Sequence, residues 1–381
     1  MSKRSVIILG AGLVGRPMAL DLLKNDEFEV GIADFSEKAL DKFSGTRART
    51  FKRDLSDSNQ VKEVISDYDL VINAVPGSIG FKSLKAIIES KKNVVDIAFY
   101  AENPLDLNEL AKQNEVCVIC DMGVAPGMSH LLSGYAASQL VKIEKILIYV
   151  GGLPKVRTFP WEYKAVFSPS DVIEEYTRPA RLVENGNIVF KEALSESELI
   201  DFGSVGTLEA FNSDGLRSLV YTIKADYMAE KTLRYQGHID KIKVLKKSGF
   251  FGTEPVIINN TEIIPLEFTK KMLFPSWKLG ENEEDFTVMR IIVEGENSTG
   301  QRKRYVYDLF DIYDMATNIH SMARTTGYTA TAALRMLDAG IYNSIGINVP
   351  EFVGKDAASV KFILERLSER GIEYKEQIID L

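Results

Sequence analysis

Residues 6–15 read Val-Ile-Ile-Leu-Gly-Ala-Gly-Leu-Val-Gly, and this stretch decides the fold of the first part of the chain. A short apolar run of this kind predicts a buried parallel strand. The glycines then form the pattern G-x-G-x-x-G, ahead of an alanine- and leucine-rich segment that predicts a helix. In a dinucleotide-binding βαβ unit these glycines permit a tight turn, the approach of a pyrophosphate and close helix packing. The helix N-terminus supplies free N–H groups for the phosphates. The candidate phosphate contacts are Gly10, Ala11, Gly12, Leu13, Val14 and Gly15.

An acidic residue follows the next strand-like run. Residues 28–33 are mostly apolar and end at Asp34. An acid about 20 residues beyond the glycines is expected to bind the ribose hydroxyls of the adenosine. Because its charge repels a 2′-phosphate, and Phe35 stands where NADP enzymes often have arginine, the sequence predicts NAD and disfavours NADP. The alternative is a glycine-rich turn with an ordinary surface aspartate.

Composition limits the class of protein. The 381 residues predict two domains, and 45% hydrophobic with 26% charged residues is typical of a globular protein. The net charge of −8 argues against nucleic acid and an anionic membrane as partners. No apolar stretch approaches the roughly 18 residues of a membrane span. Cys117 and Cys120 would face opposite sides of a strand, so we interpret them as buried apolar residues and expect a cytoplasmic protein without a metal site.

Strand and helix patterns alternate from residue 28 to residue 121, which predicts a doubly wound parallel sheet. In such a sheet the ligand lies beyond the carboxyl ends of the strands. The loops that follow the predicted strands should therefore line one crevice, and the loop after the third strand could approach the adenine. A purely structural role is equally open for each of these residues. The candidate cofactor contacts in the loops are Asp54, Asn73, Ala74, Val75, Asp96 and Ile97.

The pattern changes after a predicted helix over residues 127–140. Asn185-Gly186 and Asn259-Asn260 each lie between two apolar runs, which indicates two β-hairpins. Residues 287–294 and 303–309 form a third pair of strand-like runs. We therefore predict a Rossmann NAD-binding domain over 1–126 and an inserted α+β domain with an antiparallel sheet over 127–315. The helices of 316–381 should pack back on the Rossmann domain.

A series of motifs in fixed order extends over nearly the whole chain. They are Gly123-Val124-Ala125-Pro126-Gly127-Met128, Leu132-Ser133-Gly134-Tyr135, Val150-Gly151-Gly152-Leu153-Pro154, Val166-Phe167-Ser168, Leu208-Glu209-Ala210-Phe211, Leu233-Arg234-Tyr235-Gln236-Gly237-His238 and Met322-Ala323-Arg324-Thr325-Thr326-Gly327-Tyr328. With these motifs the chain resembles the saccharopine dehydrogenase superfamily, and within it most closely the lysine 6-dehydrogenases.

Two departures guide the choice within the superfamily. The glutamate-forming saccharopine dehydrogenases typically carry Asp-Pro-Gly where this chain has Ala125-Pro126-Gly127, and they tend to have arginine at the position of Phe35. The resemblance then implies NAD-dependent oxidative deamination of the ε-amine of L-lysine, giving ammonia and a semialdehyde that cyclises. An NADP-linked saccharopine dehydrogenase that forms L-glutamate, or a related carboxyalkyl-amine dehydrogenase, stays open. A non-catalytic NAD(H)-binding module is the alternative from another class.

Oxidation of an amine requires its neutral form, because an ammonium has no lone pair, and the lysine side chain has a pKa of about 10.4. The site must therefore accept a proton. Asp121, at the end of the sixth strand, could accept it, Tyr100 could relay it, and His238 is the best histidine for a base. Each has a structural alternative, namely a capping acid, a packing residue and a buried structural histidine, and for His238 the structural role is favoured.

The resemblance also implies where a small amino-acid substrate would bind. Arg234 suits its carboxylate, because a guanidinium can form two parallel hydrogen bonds. Arg178 and Arg324 are secondary candidates, and His130 and His320 are interpreted as structural. The implied substrate contacts are Lys164, Ser168, Asn212, Asp214, Arg234 and Tyr235. We further expect a homodimer that uses the antiparallel sheet.

Overall fold

The computed structural model describes residues 3–166, 169–280 and 282–381, which form eighteen β-strands and thirteen α-helices. The strands are β1 (Ser5–Leu9), β2 (Glu29–Asp34), β3 (Arg49–Lys52), β4 (Leu70–Asn73), β5 (Asn93–Asp96), β6 (Cys117–Ile119), β7 (Lys142–Pro154), β8 (Ala180–Glu184), β9 (Asn187–Lys191), β10 (Glu198–Asp201), β11 (Thr207–Asn212), β12 (Tyr227–Tyr235), β13 (Val256–Ile258), β14 (Thr261–Ile263), β15 (Asp285–Glu296), β16 (Arg302–Ile312), β17 (Gly346–Asn348) and β18 (Tyr374–Asp380). The helices are α1 (Gly15–Leu22), α2 (Glu37–Leu40), α3 (Ser58–Ile65), α4 (Gly77–Glu89), α5 (Asn108–Gln113), α6 (Met128–Ser138), α7 (Pro169–Thr177), α8 (Leu219–Thr222), α9 (His238–Lys247), α10 (Pro265–Trp277), α11 (Ser321–Asp338), α12 (Pro350–Val353) and α13 (Ala357–Ser368).

The chain divides into two compact units. The first unit consists of Met1–Gln139 and Ala323–Glu373, and the second of Leu140–Met322 and Tyr374–Leu381. These limits differ from the predicted bounds at two places. Helix α6 belongs to the first unit because it packs against α12 and α13. Strand β18 belongs to the second unit because it pairs with β16.

The sheet of the first unit has seven parallel strands. Their order is β17-β6-β5-β4-β1-β2-β3, so the chain reverses its direction of winding between β1 and β4. Strand β1 is central and its residues 6–9 are fully buried, as its continuous apolar run predicts. The doubly wound parallel sheet is therefore confirmed.

Short-range sequence features account for helix α3 beside this sheet. The side chain of Asp57 accepts a hydrogen bond from the Asn59 N–H at 2.9 Å and caps α3. That helix buries Val61, Val64 and Ile65 on one face, as their spacing predicts. Cys117 and Cys120 are both buried.

The large sheet of the second unit has nine strands. Its main path is β10-β11-β12-β7-β15-β16-β18, and β8 pairs with both β12 and β9. The antiparallel pairing predicted for β15 with β16 is confirmed. The sheet as a whole is mixed rather than antiparallel, because β12 and β7 run parallel.

Both short hairpins form where the sequence predicts them. Strands β8 and β9 join through Asn185 and Gly186, whose φ angles are 50° and 75°. Strands β13 and β14 join through Asn259 and Asn260, with φ angles of 50° and 63°. Two consecutive residues with positive φ define a tight hairpin turn, which asparagine and glycine adopt at low cost.

An aromatic core supports the second unit. Trp277 and Tyr176 are fully buried, and their ring centroids lie 6.1 Å apart in an edge-to-face contact. Among the helices of the described ranges, none combines the length and the apolar character that crossing a bilayer requires.

Candidate active site

The glycine-rich turn between β1 and α1 leaves room for a phosphate group. A Cβ atom on Gly10, whose φ is 108°, would lie 2.5 Å from the Ala74 carbonyl oxygen, and one on Gly15 would lie 1.9 Å from that of Gly10. A Cβ on Gly12, in contrast, would meet no atom within 4 Å. Close backbone packing thus leaves no room for a side chain at Gly10 or Gly15, while the space over Gly12 is open. This arrangement fits a dinucleotide pyrophosphate at the start of α1.

Asp34 lies beside this turn, at the end of β2. Its carboxylate accepts hydrogen bonds from the Ala11 N–H at 2.6 Å and the Ser36 N–H at 2.7 Å. The next side chain, Phe35, is 71% exposed and offers no positive charge. The position of Asp34 fits the ribose of a dinucleotide.

Other predicted cofactor contacts occupy different surroundings. Leu13 and Gly12 are exposed in the turn, whereas Ala11 and Val75 are buried. Asp54 is exposed and its carboxylate accepts hydrogen bonds from Ser56, within its own turn. Its predicted contact with the adenine therefore stays a prediction.

The carboxyl ends of β4 and β5 bring two buried polar side chains together. The Asn73 amide donates to a carboxylate oxygen of Asp96 at 2.9 Å and to the Gly80 carbonyl at 3.3 Å. The Asn73 side-chain oxygen is buried and has no hydrogen-bond partner in the described part of the chain. Because such an oxygen is costly to leave unsatisfied, it could accept a hydrogen bond from a bound ligand or from water. The neighbouring amides of Ala74 and Ile97 are bonded to backbone carbonyls of β1 and β4.

Asp96 has an unusual environment for a carboxyl group. Burial raises its pKa to about 7, and the nearby Asp121 contributes to the rise, although hydrogen bonds from Ala98, Tyr100 and Asn73 act in the opposite direction. Tyr100 is 1% exposed, and burial together with Asp96 raises its pKa. Asp121 is 2% exposed and has a φ of 52°. The structure thus brings the predicted catalytic residues Asp121 and Tyr100 together around Asp96, which the sequence suggested only as a cofactor contact.

His238 lies in the second unit, at the start of α9, and is 1% exposed. Its Nδ1 is 2.9 Å from the Trp161 carbonyl oxygen, so this nitrogen must carry the proton and donate. Its Nε2 then accepts from the Tyr176 hydroxyl at 3.0 Å. Burial, together with the charge of Arg234, lowers the pKa of His238 to about 3. A neutral histidine with both nitrogens bonded does not favour the predicted role as a base.

Arg234 is also buried, at 2% exposure, and its charge is already balanced inside the unit. One guanidinium nitrogen donates to Glu175 at 2.7 Å and Nε donates to the Tyr176 hydroxyl at 3.0 Å. The guanidinium also stacks on the Tyr163 ring at 4.4 Å. A substrate carboxylate would have to compete with Glu175 for this guanidinium. The role of Arg234 in binding the substrate therefore stays a prediction.

The remaining predicted substrate contacts are dispersed over the second unit. Asp214 forms a bidentate ion pair with Arg181, at 2.7 and 3.0 Å. Lys164 lies 3.5 Å from a carboxylate oxygen of Glu283, and the Tyr235 hydroxyl donates to the Pro154 carbonyl at 2.9 Å. Asn212 is buried and donates to Glu196 at 2.9 Å. Ser168 lies outside the described residues. In the described ranges, no three His, Cys, Asp or Glu side chains are grouped to hold a metal ion.

One buried acid was missed by the sequence reasoning. Glu230 on β12 is 5% exposed, and burial raises its pKa to about 8. The alternation Glu230, Thr232, Arg234 could have revealed it, because these residues share one face of the strand.

The parallel sheet with its open glycine turn and Asp34 defines an NAD(P)-binding Rossmann unit, and the second unit adds a mixed sheet. Sequence comparison places both in one family. The profile of the saccharopine dehydrogenase NADP binding domain matches residues 6–119, and that of the saccharopine dehydrogenase C-terminal domain matches residues 123–372. The chain therefore belongs to the saccharopine dehydrogenase family. It is an NAD(P)-dependent dehydrogenase of the class that acts on CH–NH groups.

Individual relatives are distant. The chain is 27% identical over 323 residues to the saccharopine dehydrogenase [NADP(+), L-glutamate-forming] of Pyricularia oryzae, covering 81% of this chain and 71% of that protein. It is 28% identical to the alpha-aminoadipic semialdehyde synthase of Arabidopsis thaliana, with 67% of this chain matched but only 27% of that longer protein. The structure of saccharopine dehydrogenase (L-Glu forming) from Saccharomyces cerevisiae superposes with a TM-score of 0.81 at 20% identity, covering 99% of this chain and 100% of the other. This likeness shows the fold.

Proposed function

We propose that the chain catalyses the NAD-dependent oxidative deamination of the ε-amine of L-lysine. The observation that carries the proposal is the buried Asp96–Asp121–Tyr100 group at the strand ends of the nucleotide-binding unit. A carboxyl with a pKa of about 7 is suited to accept a proton from a substrate ammonium near neutral pH. The reaction converts lysine, water and the oxidised dinucleotide into the semialdehyde, ammonium, the reduced dinucleotide and a proton.

The residues of this chain would perform the binding and proton steps. Gly10 to Gly15 would hold the pyrophosphate, Asp34 the ribose, and Asn73 a polar group of the bound ligand. A bound nicotinamide dinucleotide supplies the two-electron acceptor. Asp96 would take the proton that the ammonium must lose before oxidation. The charge of its neighbour Asp121 contributes to the raised pKa of Asp96.

The preference for NAD rests on Asp34 and Phe35. A carboxylate held against the Ala11 amide accepts hydrogen bonds from ribose hydroxyls and repels a 2′-phosphate. The exposed Phe35 provides no cation to balance such a phosphate. The names of the relatives favour a second candidate, an NADP-linked saccharopine dehydrogenase that forms L-glutamate.

A panel of substrates separates these candidates. The purified chain is mixed with NAD or NADP and with L-lysine, saccharopine, cadaverine or 6-aminohexanoate, while the reduced cofactor and released ammonia or glutamate are measured. We expect turnover with lysine and NAD and release of ammonia. Glutamate release from saccharopine with NADP would overturn the proposal in favour of the second candidate. Tight NADH binding without turnover of any amine would indicate the non-catalytic module.

A further inference from the structure

A cavity of about 670 Å³ opens at the amino ends of β1, β2 and β3, within the first unit. The first residues of these strands line it, together with Tyr68 from the turn before β4. The glycine turn and Asp34 lie at the carboxyl ends of the same sheet, so the cavity faces away from the proposed dinucleotide site. A volume of this size is typical of pockets that bind small molecules.

Tyr68 lines this cavity and has an unsatisfied hydroxyl group. The residue is 7% exposed, and its hydroxyl oxygen has no hydrogen-bond partner within the ranges that the structure describes. A Cβ on Gly31 would lie 2.2 Å from this oxygen, so the glycine on β2 makes room for the phenol. Burial raises the pKa of Tyr68, and the charge of Arg49 acts against this rise. The acids Asp67 and Glu29 also raise it. The hydroxyl therefore keeps its proton and can donate a hydrogen bond to a ligand.

The second unsatisfied donor at this cavity belongs to Arg53. Its two terminal nitrogens each donate at 3.0 Å, one to a carboxylate oxygen of Glu63 and the other to the Lys52 carbonyl. Its Nε is buried and has no acceptor among the described residues. Because an Nε–H group can only donate, it requires an acceptor oxygen from a ligand or from water.

Strand β3 sets the arrangement of the two donors. Arg49, Phe51 and Arg53 alternate along extended backbone, so they share one face, and all three line the cavity. Gly31 pairs with Arg49 in the sheet, which places the Tyr68 hydroxyl at that end of the row. Arg53 follows four residues later, about 13 Å along an extended chain. Phe51 lies between the two ends, and its ring contacts that of Tyr68 edge-to-face at 6.2 Å. The cavity thus has one donor at each end and an aromatic wall between them.

The charges around the cavity decide which end accepts an anion. Four basic and four acidic side chains line it, so the lining as a whole has no net charge. At the Tyr68 end, Asp67 and Glu29 outweigh Arg49 in number, and a further negative charge would be repelled. At the other end, the carboxylate that pairs with Arg53 belongs to Glu63, whose side chain is 67% exposed. Because water screens such a pair, a ligand carboxylate can share the guanidinium.

We propose that this cavity binds a small carboxylic acid that has an aromatic ring and, at its far end, a hydroxyl or carbonyl oxygen. The ligand carboxylate accepts a charge-assisted hydrogen bond from the Nε of Arg53, and its ring packs against Phe51. The far oxygen accepts from the Tyr68 hydroxyl. Each unsatisfied donor thus gains the acceptor that it lacks. The site lies within one unit and does not depend on the reaction proposed above.

The test uses two probes that differ only in the far oxygen, 3-(4-hydroxyphenyl)propanoate and 3-phenylpropanoate. Their binding to the full chain is measured by isothermal titration calorimetry. We expect the hydroxylated probe to bind with a Kd of about 1 mM or lower, which is reasonable for a compound of this size. The compound without the hydroxyl should bind about fivefold more weakly, the usual effect of losing a neutral hydrogen bond.

Variants of the two donors assign each contact. Tyr68→Phe should weaken the hydroxylated probe about fivefold and leave 3-phenylpropanoate within about twofold, because both changes remove the same hydrogen bond. Arg53→Lys keeps the charge beside Glu63 but lacks the Nε–H donor, so both probes should bind about tenfold more weakly or worse. Tyr135→Phe is the matched control, a phenol of the same unit outside the cavity, and should change neither Kd.

Saturating NADH should leave the affinity for the hydroxylated probe unchanged, since the dinucleotide turn lies at the other edge of the sheet. Displacement by NADH would place the probe in the dinucleotide site and overturn the inference. So would equal affinities of the parent and Tyr68→Phe for the hydroxylated probe, or no binding to the parent at about 10 mM. The thermal midpoint verifies that the variants fold, and that of Tyr68→Phe should not fall, because the hydroxyl that it removes is unsatisfied. None of these outcomes bears on lysine oxidation, which the substrate panel tests separately.

Discussion

Asp21 on α1 is hydrogen-bonded to Thr331 on α11, a residue 310 positions later in the chain, at 2.7 Å. The same fully buried carboxylate accepts from Arg335 and Arg370, each at 2.7 Å. Asp21 thus links residues 323–373, which belong to the nucleotide-binding unit although they follow the second unit in sequence, to the first helix of that unit. Burial opposes the ionisation of Asp21, but the two guanidinium groups outweigh it and hold its pKa below the usual value.

We expect Asp21→Asn to destabilise the first unit by about 3 kcal/mol, because it removes the buried counter-charge of Arg370 and one of the two carboxylates that pair with Arg335, the other being Glu27. A lowered pKa means that this stabilisation is present above the unfolded-state pKa of about 3.9 and is lost as pH falls through the folded value. The parent should therefore lose this contribution in acid below about pH 4, and the variant should lack that part of the pH dependence. Native-state hydrogen exchange of the β1 and β2 amides measures both effects. Asp338→Asn, at a partly exposed pair with Arg4, is the control and should cost at most about 1 kcal/mol.

Asp34→Ser should narrow the difference in affinity between NAD and NADP. The change removes the charge that repels a 2′-phosphate and weakens the acceptor for the ribose hydroxyls, so NAD affinity should fall about tenfold or more. Fluorescence titration with both reduced dinucleotides measures the ratio. Glu37→Gln, an exposed acid three residues later, should not alter it. A ratio that is the same in the parent and Asp34→Ser would remove Asp34 from the cofactor site.

Asp96→Asn should abolish the pH dependence of kcat/KM that arises from proton transfer to this carboxyl group. With the Asp96 pKa at about 7, kcat/KM for lysine in the parent should rise as pH increases through 7, because only the ionised carboxyl accepts a proton. The variant should lose this rise and about 100-fold or more of its activity at pH 8. Asp69→Asn is the matched control, since Asp69 is a hydrogen-bonded carboxylate just before β4, at the opposite edge of the parallel sheet from Asp96 at the carboxyl end of β5. A retained rise near pH 7 in Asp96→Asn would assign the proton step to another group.

The chain should form a homodimer through the nine-stranded sheet. Phe310 and Ile312 of β16 are two residues apart on one face of the sheet and are 53% and 57% exposed. Exposed apolar side chains grouped on a sheet face are typical of an interface. Light scattering at micromolar concentration should give twice the chain mass, and Phe310→Asp should give the monomer. Phe190→Asp, at a still more exposed phenylalanine on β9, should leave the dimer intact, and a monomeric parent would contradict the prediction.

Much of this architecture follows from local sequence. The glycines before α1, the aspartate that caps α3 and the asparagine turns of the two hairpins each require one backbone geometry, and residues within a few positions supply it. The acid at the end of β2 could likewise be found by counting from the glycines. In these cases the physical cause is short-range, so the sequence by itself determined the parallel sheet and the hairpins, and it predicts the place of the dinucleotide.

Only the tertiary structure decided the protonation states of the buried side chains and their hydrogen-bond and ion-pair partners. Nothing near Arg234 in sequence indicates that Glu175 neutralises it, and nothing near His238 shows that the Trp161 carbonyl and the Tyr176 hydroxyl fix its neutral tautomer. The raised pKa values of Asp96 and Glu230 arise from burial and from acids on other elements. The pairing of β12 with β7 in parallel and the return of β18 to the second sheet also join segments far apart in the chain. Desolvation and Coulomb interactions depend on distances in space, and those distances are set only when the whole chain has packed.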